Sequence, residues 1–161
     1  MEPEKEVNFL EVLRELDTRN IRCLIIGRRA VILYGGPVLT ADYDLWIHST
    51  DKKRTLECLS EDLGFELSRP PDTRRPIVTC FSGMKKYDLF FHKRIKNNEN
   101  ETIEFDECYK NATVIEDDPE AVRFRIPCID DLIRLKKIRQ PNVKDEQDIA
   151  YLLKAKHLLR K

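Results

Sequence analysis

The chain has 161 residues, with 29 lysines and arginines against 29 aspartates and glutamates, a formal net charge of zero and five cysteines. That length can bury the core of one domain without crosslinks, and the balanced charge leaves no global field to draw the molecule to nucleic acid or to a membrane. Cysteines that are odd in number and form no C-x-x-C pair read as small core residues in a reducing cytoplasm. The opening Met1-Glu-Pro-Glu-Lys-Glu6 lacks the basic end and apolar run of a signal peptide, and no stretch is apolar over the span of a bilayer. Locally the charge is uneven: Glu99 to Glu120 is rich in carboxylates, and Arg134 to Lys161 carries most of its charge as lysine and arginine, an end that could face phosphates.

Phe9, Leu10, Leu13 and Leu16 recur at helical spacing, so an amphipathic helix opens the chain. Cys23 to Ile26 reads as a short buried strand running into Gly27. Arg28 to Tyr34 suits a short helix, stopped by Gly35-Gly36-Pro37. Asp42 to His48 alternates polar and apolar residues as a second strand. Thr50 or Asp51 can cap the next helix, whose Leu56, Leu59 and Leu63 share a face before Gly64. Ile77 to Ser82 and Tyr87 to His92 flank Gly83-Met84-Lys85 as a hairpin. Beyond them the pattern predicts helix at Phe105 to Tyr109 and from Ile129 onward, with a strand around Val122 to Ile126. The one long loop is Arg69 to Pro76, which is expected to be mobile.

Side chains two apart on a strand share a face, so Asp42 and Asp44 point together if Ala41 to Ile47 is extended. Two carboxylates beside Leu45, Trp46 and Ile47 repel each other and call for a cation; magnesium, which takes oxygen ligands, supplies one. The ordinary reading of a lone Asp-x-Asp is a solvated turn. Asp88, however, lies inside a second apolar strand, where it needs either that cation or an ion pair with Lys85, Lys86 or an arginine.

Together, Ile26-Gly27, the spacer to Thr40, Asp42-Tyr43-Asp44-Leu45 and the later Asp88 resemble the nucleotidyltransferase superfamily, the polymerase-beta-like fold. Minimal nucleotidyltransferases and the abortive-infection type toxin enzymes are the nearer likeness. In them a segment like Ile126-Pro-x-Ile129-Asp-Asp-Leu132-Ile133-x-Leu-Lys136 precedes a helix like Lys144-Asp145-x-x-Asp148. The resemblance implies an α/β (α+β) fold: a mixed sheet over about 20–95 flanked by helices, and a helical part over about 99–161, in one domain spanning 1–161. It implies Asp42, Asp44 and Asp88 as metal ligands and catalytic carboxylates for Mg2+ or Mn2+, and Gly27, Arg28, Thr40, Lys136 and Lys144 around a nucleoside triphosphate such as ATP. The reaction implied is transfer of a nucleoside monophosphate to an acceptor hydroxyl on RNA, protein or a small molecule, with a toxin-antitoxin-like partner protein or a homodimer left open.

Two positions depart from that pattern. Arg28 stands where the family has glycine or serine, and Val38 where an arginine is common. The Arg28 side chain either blocks close approach of phosphate to the backbone or grips the phosphate itself. Lys136 shares a helix face with Leu132 and Ile133 and must meet a negative group, either triphosphate or an aspartate such as Asp145 or Asp148. The rival to an enzyme is a module of the same fold that binds or regulates a partner without catalysis. His48, His92, Trp46 and Phe90-Phe91 read as core or surface residues. Lys154 to Lys161 reads as a solvated helix end, and only secondarily as an RNA contact.

Overall fold

The computed structural model describes residues 6–160. Helix α1 (Phe9–Thr18) starts at Asn8, whose side chain accepts the Leu10 N–H, and it buries Val12, Leu13 and Leu16. Five strands follow within the next stretch of chain: β1 (Cys23–Ile26), β2 (Asp42–Ile47), β3 (Glu66–Leu67), β4 (Ile77–Ser82) and β5 (Lys85–Phe90). They form one mixed sheet in the order β1-β2-β5-β4-β3, in which β2 and β5 run parallel and every other pair is antiparallel. Helix α2 (Gly27–Leu33) joins β1 to β2, and α3 (Lys52–Glu57) follows β2 and runs into a π-helical turn over Cys58–Asp62.

The β4–β5 hairpin turns on Gly83-Met84 alone, with Gly83 at φ 58, a left-handed conformation that glycine adopts at little cost. Because Ser82 pairs directly with Lys85, β5 begins two residues earlier than the apolar pattern around Tyr87 predicts.

The part expected to be mainly helical holds more strand than its sequence suggests. β6 (Arg94–Lys96) and β7 (Thr102–Glu104) make one small hairpin, and β8 (Thr113–Asp117) and β9 (Val122–Ile126) another, with α4 (Phe105–Lys110) between them. β6 and β7 are too short to display alternation, and β8 exposes Val114 among polar neighbours. The C-terminal helix is two helices, α5 (Ile129–Lys137) and α6 (Val143–Leu159). Asn142 starts the second: its side chain accepts the Asp145 N–H while Asp145 accepts the Asn142 N–H, a reciprocal cap that satisfies two otherwise orphaned donors. Among the described residues no helix is long and apolar enough to cross a membrane.

Strand alternation splits the apolar residues between the two faces of the sheet. Ile25, Leu45, Val78, Tyr87 and Leu89 join the larger core with α1 and α3. Leu24 and Trp46 point the other way, into a smaller core with Ile103, Phe105, Cys108 and Ile138, against which Phe90 and Ile95 pack. The five cysteines are free thiols, and Cys58, Cys80 and Cys108 are buried, as small core residues would be.

Asp51 precedes α3 but does not cap it through its side chain. A His48 ring nitrogen accepts the Thr50 N–H instead, and the Asp51 carboxylate reaches back to Arg22. It accepts the Arg22 backbone N–H at 3.0 Å, Arg22 Nε at 3.1 Å and Arg54 Nη2 at 2.7 Å. Burial pushes this carboxyl up, but those bonds outweigh it and hold it at about 2. The folded value lies below the unfolded one, so this group's stabilisation is present above pH ~4 and is lost as pH falls toward ~2. Asp51→Asn is therefore expected to lower stability at pH 5 by about 3 kcal/mol, with the gap to wild type narrowing by about 2 kcal/mol at pH 2; urea denaturation at both pH values measures it.

Candidate active site

A row of facing residues crosses the sheet: Ile26 pairs with Asp44, Asp44 with Asp88, and Asp88 with Thr79. The row below it is Leu24, Trp46, Phe90 and Ile77, and above it Asp42 pairs with Lys86. Asp42, Asp44 and Asp88 thus occupy one face, as the strand readings require, with Asp44 and Asp88 directly beside each other. Their surroundings differ. Asp42 is exposed, and its backbone N–H donates to Thr40 Oγ1 at 3.1 Å. Asp88 accepts the Thr79 hydroxyl at 2.7 Å and lies 3.6 Å from Lys86 Nζ. Among the described residues no three histidine, cysteine, aspartate or glutamate side chains are gathered closely enough to enclose a metal ion.

Asp44 is half-buried, and burial is the main cause that lifts its carboxyl to about 6; Asp88 and Asp42 add to the rise, while Arg139 and Lys86 oppose it. Gly27 makes room for it. A Cβ there would collide with Asp44 Oδ2, and the residue adopts φ +69, so glycine serves both the turn from β1 into α2 and the clearance over the carboxylate.

Asp44 and Gly27 line a cleft of about 1020 Å³. Its floor is Ile26, Ile77 and Phe90; the β6–β7 hairpin forms one wall, and the end of α5 with Arg139, Gln140 and Pro141 forms the other. Lys136 also lines it, but the lysine is buried and its ammonium lies 3.0 Å from Asp148 and 4.0 Å from Asp145. Of the two partners the sequence left open for Lys136, the aspartates are the ones it meets here. Arg28 meets the same carboxylate, Nε to Asp148 Oδ1 at 3.2 Å, and also donates to the Leu39 carbonyl. Its guanidinium is directed to α6, which leaves Gly27 uncovered by it. Thr40 sits at the turn into β2, and Lys144 is exposed on the first turn of α6, outside the cleft lining.

Three contributors escape the sequence reading. Thr79 was recoverable, since a two-residue turn at Gly83-Met84 brings it opposite Asp88. Arg29, whose guanidinium holds the carbonyls of Thr40 and Asp42 and lies 4.1 Å over the Tyr43 ring, carries no such signal. Nor does Arg139 in the loop between helices.

With its mixed sheet and flanking helices, this chain has the fold of solved nucleotidyltransferases. The lincosamide antibiotic adenylyltransferase LnuA, solved with lincomycin bound, superposes with a TM-score of 0.64 at 12% identity over 92% of this chain and 98% of its own. The antibiotic-resistance factor ANT(2'')-Ia gives 0.56 at 18% identity over 93% of this chain and 85% of its own. A second structure of that protein, with adenylyl-2''-tobramycin, gives 0.56 over 92% and 87%. No protein-family model and no curated sequence matches the chain.

Two outcomes follow from the charges. The Asp44 carboxyl is raised on folding, so the folded state binds the proton more tightly; its contribution is most favourable below pH ~4 and is lost as pH rises through about 6. Asp44→Asn is expected to be more stable than wild type at pH 7.5 by about 1–2 kcal/mol after allowance for solvent screening, and equal to it at pH 4, by urea denaturation. Asp148→Ala leaves Lys136 buried without its nearer counter-charge and is expected to cost about 3–5 kcal/mol, read from the same experiment at pH 7.

Proposed function

We propose that this chain is a metal-dependent nucleotidyltransferase that moves a nucleoside monophosphate from a nucleoside triphosphate to an acceptor hydroxyl. The observation that carries the reading is Asp44 beside Asp88 at matched register on two parallel strands, with Asp44 opening onto a large cleft, in a fold shared with adenylyltransferases. The donor set suits a hard divalent cation, Mg2+ or Mn2+: the three side chains offer only carboxylate oxygens, and Gly27 keeps Asp44 Oδ2 clear. Asp42, Asp44 and Asp88 would hold it. When bound, such an ion supplies charge neutralisation at the reacting phosphate and its leaving group.

The protein's own groups divide the remaining work. Thr79 donates to Asp88 Oδ1, and Oδ2, which also lies 3.6 Å from Lys86 Nζ, would receive the proton of the acceptor hydroxyl. Gly27 lets the α2 turn approach the ligand closely, and Arg29 steadies the Thr40–Asp42 turn that presents the first carboxylate. Thr40 and Lys144 lie at the periphery, and Arg28 and Lys136 act through the position they give α6. ATP is the donor favoured by the adenylyltransferase neighbours; the acceptor is an RNA, a protein or a small molecule, and the neighbours named for antibiotics make the last of these a natural first trial.

A second reading has its own support. Arg28 and Lys136 both spend their charge on Asp148, and the carboxylates do not converge on a preformed metal cage, which suits a module of this fold that binds or regulates a partner. Incubation with Mg2+ or Mn2+, labelled triphosphates and separate pools of RNA, protein and metabolites decides between the two. We expect label to appear in one pool and to fall at least a hundredfold, roughly, in Asp44→Ala and Asp88→Asn, with melting temperatures close to wild type. Equal labelling by Asp44→Ala would remove the catalytic assignment, and saturable partner binding without any labelling would favour the regulatory module.

A further inference from the structure

The cleft needs a cation that is free to meet the phosphates of its ligand, and neither Arg28 nor Lys136 is placed to be one. We infer that Arg139 is the phosphate-gripping residue of this site, presented to the cleft by the buried Asp145. The inference rests on the nucleotide reading above and extends it to a residue outside every motif in the sequence.

Four observations carry it. Arg139 lines the same cleft as Asp44 and Gly27. Its side chain is 67% exposed, so the guanidinium can be reached from the cleft. One nitrogen, Nη2, donates to Asp145 Oδ1 at 2.9 Å, and a guanidinium has further N–H groups to offer in a fixed plane. Asp145 is 3% exposed and cannot swing, because its other oxygen accepts the Asn142 N–H that begins α6. The helix cap therefore holds the arginine that holds the ligand.

The other cleft cations fit less well. Lys136 is buried against two carboxylates, and Arg94 is paired with Glu104 at 2.9 Å across the β6–β7 hairpin. Lys96 and Lys137 are exposed ammonium groups, which attract phosphate as point charges without the planar fork of a guanidinium.

Isothermal calorimetry with Mg2+ and the adenosine mono-, di- and triphosphates, repeated with the other three bases, tests this on wild type, Arg139→Gln and Arg139→Lys. Wild-type affinity is expected to climb with phosphate number. In Arg139→Gln the monophosphate should bind within about twofold of wild type and the triphosphate about tenfold more weakly, with Arg139→Lys between them. Asp145 keeps Lys136 and the Asn142 N–H in the glutamine variant, so its melting temperature should stay near wild type and certify the fold. Isotherms of Arg139→Gln that overlay wild type, or an equal loss for all three nucleotides, would overturn the assignment and leave nucleotide binding standing. Absence of saturable binding to any nucleotide by wild type would overturn both.

Discussion

Parallel pairing of β2 with β5 forces Asp44 and Asp88 onto one face at one level, about 4.8 Å apart by strand spacing, and the rest of the site answers that constraint. When both are ionised their repulsion amounts to about 3 kcal/mol at an effective dielectric of ~20. The strands cannot relax it by sliding, because a slip by one residue would turn Trp46 and Leu89 to the wrong face of the sheet. Thr79 and Lys86 relieve Asp88, whereas burial first, and then the charges of Asp88 and Asp42, raise the affinity of Asp44 for protons. A site that binds a proton too readily for a carboxylate is a site that would gain from a cation, and Gly27 is the residue that keeps the approach to it open.

Much of this was legible in the chain. The apolar residues of α1, β1, β2 and β5 recur with the periods of their elements, and the Asp42-x-Asp44 spacing fixes a shared face without reference to any other residue. The pairing of Asp88 with Asp44 was available only as a resemblance, since no local pattern states that two strands separated by α3 and β4 will lie parallel. What escaped was short or polar. Three-residue strands such as β6 and β7 have no period to read, and β8 alternates with too many exposed groups. The same limit hid Arg139: a loop arginine acquires its meaning from Asp145, and that contact exists only because α5 ends and α6 starts around the Asn142 cap.

Arg28 shows how a departure from a family pattern can be resolved by packing. A long cation in place of glycine or serine looks like an obstruction when only β1 and α2 are considered. Its guanidinium instead leaves the mouth of the cleft for Asp148, 120 positions away, where it meets the Lys136 ammonium on the same carboxylate. Asp148 is almost wholly buried, so the two cations are what make its burial tolerable, and it in turn is what allows Lys136 to be buried.

The consequence reaches the architecture of the whole chain. α2 begins at the glycine over Asp44, α5 supplies one wall of the cleft, and α6 supplies Asp145 and Asp148; a single charge cluster ties all three. The C-terminal helices are therefore a part of the site and not a support appended to the sheet. Tight packing alone could hold them there, but apolar contacts tolerate small shifts, whereas a buried carboxylate shared by an arginine and a lysine is satisfied only within hydrogen-bonding distances of both. Geometry at the mouth of the cleft is thus set by groups that need never touch the ligand, and Arg139, tethered beside them, is the exposed cation of the cluster that lines the space they define.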